Sequence, residues 1–277
     1  MIDLHTHSTA SDGSESPARV AELAAQAGCT AFALTDHDGL DGIFSAQQAA
    51  AAANVRCVPG CEISSPHAGT LHLLVYFVEP GEGPLQDELR RLQEIRHDRN
   101  LRMVATLAGL GLPITYEEVA AEAGGVGVGR PHAAAVLVRN GAAESVQDAF
   151  DRYLSKGRPG YVEKERLPVD QAVRLARASG GVAVLAHPLS LNLTLRELDS
   201  FVAELAAAGV AGIEAVYGRY SPEERAELVD LAARHGLVAS GGSDFHGAYK
   251  PDLAVGVGRG DLDVADDVLD QLESRRP

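Results

Sequence analysis

The chain has 277 residues, 45% hydrophobic and 5% aromatic, and its 24 basic against 39 acidic residues give a net charge of -15. This composition excludes a disordered or collagen-like chain, and the acidic surplus argues against a surface that coats long duplex nucleic acid. With no apolar run of about 18 residues, no leader-like N-terminal pattern and only three cysteines, we expect a cytoplasmic protein without a membrane partner.

Short apolar segments alternate with longer amphipathic segments along most of the chain. Ser16 and Ser221 each precede a proline at the start of such a segment, which is typical of helix N-termini. The alternation predicts an α/β fold with a mainly parallel sheet, open or closed into a barrel with one strand fewer than the standard eight. The predicted strands are residues 1–5, 31–35, 56–59, 70–78, 182–186, 212–216 and 237–240, and the predicted helices are 17–27, 42–53, 169–178, 195–208 and 222–235.

The alternation of strands and helices stops between residues 81 and 167, where helical patterns follow one another without a convincing strand. We predict a helical insertion that shapes the substrate pocket, because extra segments at the carboxyl end of a barrel usually do so. The barrel domain would then comprise residues 1–80 and 168–277. Within the insertion the predicted helices are 85–110, 116–123, 132–140 and 143–155, with a glycine-rich turn at 124–129.

Histidines and carboxylates recur where the predicted strands end. His5 and His7 lie two residues apart in the first strand and so face the same way, although such a pair alone is weak evidence. Asp12 follows in a Ser/Asp/Gly loop and could equally be a turn residue. His37 follows the second strand, at the place where α/β folds bind ligands; there Asp38 or Asp41 could simply cap a helix.

The later strands carry the same residue types. Glu62 lies at the carboxyl end of the third strand, where its burial is costly unless it is paired or metal-bound. His72 interrupts an apolar strand and, taken alone, would more often be a core histidine. His187 ends the fifth predicted strand, and Asp244 and His246 follow the glycines that end the last one.

Taken together, six of the ten histidines and three carboxylates share one rim of the predicted barrel. Without a cation these groups would repel or desolvate one another. Two or three divalent ions resolve the conflict, and mixed nitrogen and oxygen ligands suit Zn, Mn or Fe. Cys61 adjoins Glu62 but would face the other side of its strand, so we interpret it as structural, like Cys29 and Cys57.

Four motif regions carry a family resemblance, in order along the chain. The family is the polymerase-and-histidinol-phosphatase (PHP) family, and the resemblance covers residues 1–80 and 180–250. The segments that carry it are Asp3-Leu4-His5-Thr6-His7 followed by Asp12-Gly13, then Thr35-Asp36-His37, Gly60-Cys61-Glu62, His187-Pro188 and Ser243-Asp244-Phe245-His246. Gly129-Arg130-Pro131-His132 is similar to a motif in the helical insert of one branch. That branch comprises metal-dependent phosphoesterases that act on nucleoside 3',5'-bisphosphates and on the 5' ends of short RNA.

The resemblance implies a distorted seven-stranded (βα) barrel with a trinuclear metal site. A metal-bridging hydroxide would attack phosphorus in line while the ions neutralise the phosphate oxygens, and His246 or a metal-bound water would protonate the leaving group. The implied ligands are His5, His7, Glu62 and Asp244 for the first ion, Glu62, His72 and His187 for the second, and Asp12, His37 and His246 for the third.

Residues outside the implied ligand set would orient imidazoles and bind the substrate. Asp36 and Asp38 are candidates to hold imidazole N–H groups. Arg130 and His132 are candidates for a second phosphate, followed by Arg158 and Arg219, although each could be a solvated surface residue.

The function that the sequence favours is hydrolysis of a phosphate ester in a small nucleotide bisphosphate or at the 5' end of short RNA. A histidinol-phosphate-type phosphomonoesterase and a metal-binding regulatory module without turnover stay open as alternatives. A urease-type amidohydrolase ranks low. That family often bridges its metal ions with a modified lysine on a strand, and none of the three lysines of this chain lies in a predicted strand. Oligomeric state is not addressed by any of these patterns.

Overall fold

The computed structural model describes residues 1–124 and 128–277. Its seven strands form one sheet in which each strand pairs with the next along the chain. The α/β architecture and the seven-stranded barrel predicted from the sequence are confirmed. The strands are β1 (Ile2–Thr6), β2 (Ala31–Leu34), β3 (Arg56–Ser65), β4 (Leu71–Tyr76), β5 (Val182–Leu185), β6 (Gly212–Tyr217) and β7 (Val238–Gly242).

The helices follow the amphipathic segments. Ser16 and Ser221 cap two of them through their side chains, as the sequence predicts. The predicted helix 143–155 is instead a short α-helix followed by a π-helix at Phe150–Leu154. The α-helices are α1 (Pro17–Gln26), α2 (Ile43–Ala52), α3 (Pro84–Gly109), α4 (Tyr116–Glu122), α5 (Arg130–Arg139), α6 (Val146–Ala149), α7 (Val169–Ala178), α8 (Leu195–Ala207), α9 (Pro222–Arg234) and α10 (Asp267–Glu273).

The chain divides into two compact units, the first comprising Met1–Glu88 and Arg166–Pro277, and the second Leu89–Glu165. The first contains the barrel, and the second is helical and has its own core around Met103, Leu107 and Leu137. The predicted glycine-rich turn at 124–129 includes three residues, 125–127, that lie outside the described part of the chain.

Closure of the barrel joins β1 to the segment that follows β7. The backbone N–H of Asp244 donates to the carbonyl of His5 at 2.8 Å, and that of His7 donates to the carbonyl of Phe245 at 2.9 Å. The buried Asp3 carboxylate reinforces the junction by accepting from the backbone N–H of Ser243 at 2.9 Å. The nearly closed sheet surrounds a core that includes Leu4, Ala33, Val58, Leu74 and Val184.

Strand β4 runs against both of its neighbours, because its pairings with β3 and β5 are antiparallel while the other pairings are parallel. His72 is the second residue of this strand, so the beginning of β4 lies level with the ends of the parallel strands. Strand β3 is also longer than predicted and continues through Ser65, which places Glu62 within it rather than at its end.

Candidate metal centre

All nine side chains that the resemblance implies as ligands converge at one rim of the barrel. They come from strands or from the segments directly after them, because the parallel strands all end at this rim and β4 begins there. Three groups of histidines and carboxylates have donor atoms that lie within 4.8 Å of one another. The groups are His5, His7 and Asp244; His37, Glu62 and His72; and His7, Asp12, His37 and His246.

The group at the closure of the barrel surrounds a point between β1, β3 and the end of β7. The Nε2 atoms of His5 and His7 are 3.1 Å apart, and Glu62 Oε2 lies 3.4 and 3.2 Å from them. Asp244 Oδ1 lies 3.4 and 3.5 Å from the same two nitrogens. Ligand atoms at about 2.0–2.1 Å from a tetrahedral ion are roughly 3.4 Å apart, so this spacing suits a shared cation.

The other oxygen of Glu62 faces a second set of imidazoles. Oε1 lies 2.7 Å from His72 Nδ1 and 3.0 Å from His187 Nε2. His187 follows β5 with a backbone φ of 27°, in the left-handed region that side chains rarely adopt. The fully buried Glu62 carboxylate therefore connects two neighbouring groups of donors, as a bridging ligand would.

A third set of donors surrounds Asp12 at the more open side of the rim. Asp12 Oδ1 lies 3.4 Å from His246 Nε2, and its Oδ2 lies 3.7 Å from His37 Nε2. His7 Nδ1 is 3.7 Å from Asp12 Oδ1, so the His7 ring lies between this set and the one at the barrel closure. Each implied ligand thus has a partner of its expected set within 4 Å.

Comparisons with known proteins agree with this geometry. The PHP domain family matches residues 3–163, and a 3',5'-nucleoside bisphosphate phosphatase from Chromobacterium violaceum is 34% identical over 88% of this chain and 87% of its own. The chain belongs to the PHP family. A 5'-3' exoribonuclease from Escherichia coli is 35% identical over 89% of this chain and 85% of its own.

Two solved structures are similar to this chain along almost all of its length. A putative metal-dependent phosphoesterase from Bifidobacterium adolescentis superimposes with a TM-score of 0.85 at 30% identity, covering 99% of this chain and 96% of its own. A Chromobacterium violaceum protein described as an amidohydrolase with bound sulfate and no metal gives 0.83 at 32% identity, covering 100% and 97%. The protein is a metal-dependent phosphoesterase of the PHP family, a hydrolase of phosphoester bonds. Across the described residues no helix is long and apolar enough to span a membrane.

The charges at the PHP centre fit bound cations. Burial alone raises the pKa of Glu62, but the charges of His72 and His37 outweigh it and hold this pKa well below its usual range. Burial, followed by the charge of His246, holds the pKa of His7 well below its usual value. Burial lowers the pKa values of His5, His187 and His246 as well, but the neighbouring carboxylates outweigh it and raise all three. Binding of divalent cations at this centre would therefore displace protons.

The carboxylates predicted to orient imidazoles make other contacts. Asp36 accepts hydrogen bonds from the backbone and hydroxyl of Ser8, at 2.8 and 2.6 Å, and from the Ser11 hydroxyl at 2.5 Å. The Ser11 hydroxyl is 3.5 Å from His7 Nδ1, so Asp36 reaches that ring through a serine. Asp38 accepts from the backbone N–H of Ser64 at 3.3 Å. An orienting role for either aspartate stays a prediction.

Among the residues that contact the implied ligands and were missed by sequence reasoning are Glu214, Tyr217 and Lys250. Glu214 is fully buried in β6 and lies 2.8 Å from His5 Nδ1. The Tyr217 hydroxyl donates to Asp244 Oδ2 at 2.7 Å, and the Lys250 ammonium donates to the same oxygen. Glu214 could have been found from the sequence, because a glutamate inside the apolar predicted strand 212–216 is as costly to bury as Glu62. No sequence pattern indicated Lys250.

A cavity of about 490 Å³ opens beside the donor groups within the barrel unit. Arg219 lies at its edge, where its guanidinium makes two hydrogen bonds to Asp252 at 3.0 and 2.7 Å. The cavity thus places two cations, Arg219 and Lys250, beside the implied ligands. It is lined by His37, Glu62, Thr70, His72, His187, Leu189, Ser190, Tyr217, Arg219, Tyr220, Glu224, Asp244, His246 and Lys250.

The other candidates for phosphate binding belong to the helical unit. Arg130 is the first residue of α5, and its guanidinium lies 5.8 and 5.7 Å from the ring centres of Phe150 and Tyr161. His132 is buried and accepts from the backbone N–H of Gly129 at 3.1 Å, whereas Arg158 is exposed. Their binding of substrate stays a prediction.

Proposed function

We propose that this PHP phosphoesterase hydrolyses a phosphate ester of a nucleoside 3',5'-bisphosphate or of the 5' end of a short RNA. The observation that carries the proposal is the convergence of nine donor side chains on a barrel rim beside a cavity of nucleotide size. The named activities of two relatives, a bisphosphate phosphatase and an exoribonuclease, support the same substrate class.

The donor set fits three divalent ions, and its mixture of imidazole and carboxylate donors suits Mn, Zn or Fe. His5, His7, Glu62 and Asp244 would hold one ion, Glu62, His72 and His187 a second, and Asp12, His37 and His246 a third. Bound ions of this kind supply positive charge to the phosphate oxygens and activate a water molecule as the nucleophile.

The residues of the chain prepare this reaction by fixing donor atoms and charge. His246 Nδ1 donates to the carbonyl of Asp244 at 2.9 Å, so Nε2, which faces Asp12, is the nitrogen that would bind an ion. This arrangement favours His246 as a ligand over His246 as the proton donor to the leaving group. We therefore propose the ligand role first and keep proton donation as the second candidate.

The substrate's second phosphate requires cations outside the metal ligands. In the barrel unit Arg219 and Lys250 line the cavity, and a guanidinium can bind phosphate through two parallel hydrogen bonds. In the helical unit Arg130, His132 and Arg158 form the second candidate group. The net charge of -15 disfavours long duplex nucleic acid, and we propose short, cytoplasmic substrates.

A cyclic phosphate ester is a second candidate substrate, because a phosphoribosyl 1,2-cyclic phosphate 1,2-diphosphodiesterase from Eggerthella lenta is 32% identical over 89% of this chain. Histidinol phosphate and a regulatory module without turnover are the further alternatives. These alternatives differ in which substrate, if any, the purified, Mn²⁺-loaded protein should hydrolyse fastest when it is tested on a panel of substrates.

The panel comprises adenosine 3',5'-bisphosphate, 5'-phosphorylated RNAs of 2 to about 20 nucleotides, a cyclic ribose phosphate and histidinol phosphate. We expect the largest kcat/KM for the bisphosphate or the shortest RNAs. Arg130→Ala and Arg219→Ala should raise KM for the bisphosphate but not for a monophosphate, whereas Arg102→Ala on the exposed face of α3 should match wild type. Rates that rise steadily with RNA length, or preference for histidinol phosphate, would contradict the proposed substrate.

A further inference from the structure

Strand β6 supplies none of the nine implied ligands, yet two of its side chains contact three of them. Glu214 contacts His5 and His187, and Tyr217 contacts Asp244. These ligands come from three different places in the barrel: β1, the end of β5 and the end of β7. One strand without a ligand of its own thus meets donors on both sides of the barrel closure.

A β-bulge makes this possible. Glu214 and Tyr217 are three residues apart, so on a regular strand their side chains would face opposite sides of the sheet. Glu214 pairs with Ser240 and Val216 pairs with Gly241, which leaves one extra residue on β6 between the two pairs. Such an extra residue re-aims the side chains that follow it, and here both Glu214 and Tyr217 reach the ligands.

Glu214 fixes the ring of one ligand and the backbone of another. Its carboxylate accepts from His5 Nδ1 at 2.8 Å and from the backbone N–H of His187 at 2.6 Å, with no solvent exposure. Because Nδ1 of His5 donates to Glu214, Nε2 is the nitrogen that would offer its lone pair to an ion between Glu62 and Asp244. The second bond holds His187 in its backbone conformation with φ of 27°.

Tyr217 restricts the third ligand. Its hydroxyl donates to Asp244 Oδ2, as does Lys250, while Oδ1 lies 3.4 and 3.5 Å from the Nε2 atoms of His5 and His7. Asp244 also has a left-handed backbone, with φ of 56°. Hydrogen bonding of one oxygen leaves the other to face the neighbouring imidazoles.

We propose that β6 is the supporting strand of the metal centre, and that Glu214 and Tyr217 are positioning residues that set ion affinity without binding ions or substrate. The inference rests on the metal centre of the proposed function. Partners of this kind around a metal site typically contribute 10- to 100-fold in affinity. We therefore expect loss of either partner to weaken one or two ions and to leave the fold intact.

Glu214→Gln is the sharper variant. If the glutamine carbonyl keeps the bond from His187, its NH₂ group faces His5 Nδ1, which must then accept, and Nε2 carries the proton in place of its lone pair. We expect 10- to 100-fold weaker binding of at least one ion. Tyr217→Phe removes one hydroxyl, and we expect about tenfold weaker binding of the ion beside Asp244.

The test titrates metal-free protein with Mn²⁺ and counts retained ions per chain by elemental mass spectrometry, with the unfolding temperature of the metal-free form measured in parallel. Tyr116→Phe is the matched control for loss of a tyrosine hydroxyl, because this hydroxyl contacts His97 Nδ1 at 3.0 Å and neither residue is an implied ligand. Glu204→Gln, on an exposed position of α8, controls for loss of a carboxylate. Both controls should retain wild-type ion content.

Unchanged ion affinity in Glu214→Gln and Tyr217→Phe would overturn the proposal. So would a lower unfolding temperature of the metal-free variants with unchanged affinity, because that result assigns a purely structural role. If wild type itself retains no ions, the metal centre of the proposed function fails instead, and the two failures are therefore distinguishable.

Discussion

Gly242 lies where the barrel closes, and replacing it with alanine should disturb the fold and the metal centre together. A Cβ added at this position would lie 2.5 Å from both the Cβ and the backbone nitrogen of His5, and 3.0 Å from Asp3 Oδ1. Ordinary contacts need about 3.5 Å, so β1 and β7 must separate by about 1 Å. Overpacking against backbone atoms costs roughly 2–3 kcal/mol, which lowers the unfolding temperature by about 3–5 °C in a chain of this size.

The same shift of about 1 Å would move His5 relative to Asp244. Metal–ligand distances tolerate only about 0.2 Å, so Gly242→Ala should also lose ions at the barrel closure. The assay is thermal unfolding with and without Mn²⁺, combined with ion counting. Gly109→Ala at the end of α3 is the matched control, because its added Cβ meets no atom within 4 Å. Wild-type stability and ion content in Gly242→Ala would show that the barrel closure accommodates the added methyl group, contrary to this prediction.

Two further predictions follow from the site and the core. Mn²⁺ at 100 times its dissociation constant should stabilise the folded protein by about 2.7 kcal/mol per site. Adding it to metal-free protein should therefore raise the unfolding temperature by at least roughly 5 °C. An unchanged unfolding temperature, despite bound ions, would contradict a site that forms only in the folded chain. Burial raises the pKa of Cys29 and Cys57 to about 12, and raises that of Cys61 as well. Because thiolate is the reactive form, iodoacetamide at pH 8 should leave the native protein unlabelled, and rapid labelling by mass spectrometry would contradict this burial.

The seven strands and the nine converging side chains could be predicted because each depends on local patterns and on one general property of parallel strands. Apolar segments that end in histidine or carboxylate place those residues at a common rim. His72 reaches the same rim for a different reason. It lies near the beginning of β4, and β4 is antiparallel to its neighbours and so begins where they end. Sequence periodicity does not encode strand direction, so this reversal could not be read from the chain.

The supporting contacts were harder to predict because they depend on register and on distant parts of the chain. Glu214 and Tyr217 reach the centre only because of a bulge, which strand alternation alone does not reveal. Lys250 meets Asp244 through the loop after β7. Asp36 precedes the implied ligand His37 and was therefore predicted to hold an imidazole, but its carboxylate accepts hydrogen bonds from Ser8 and Ser11 instead.

If the histidine and carboxylate groups form a metal centre that hydrolyses a phosphoester, turnover must depend both on the ions and on the ligands. The most direct measurement is phosphate release from adenosine 3',5'-bisphosphate by metal-free protein reconstituted with Mn²⁺, beside His7→Ala, whose ring lies between two donor groups. We predict Mn²⁺-dependent turnover by wild type and a loss of at least 100-fold in His7→Ala, with retained folding. Equal turnover by both proteins, or equal turnover with and without Mn²⁺, would contradict the claim.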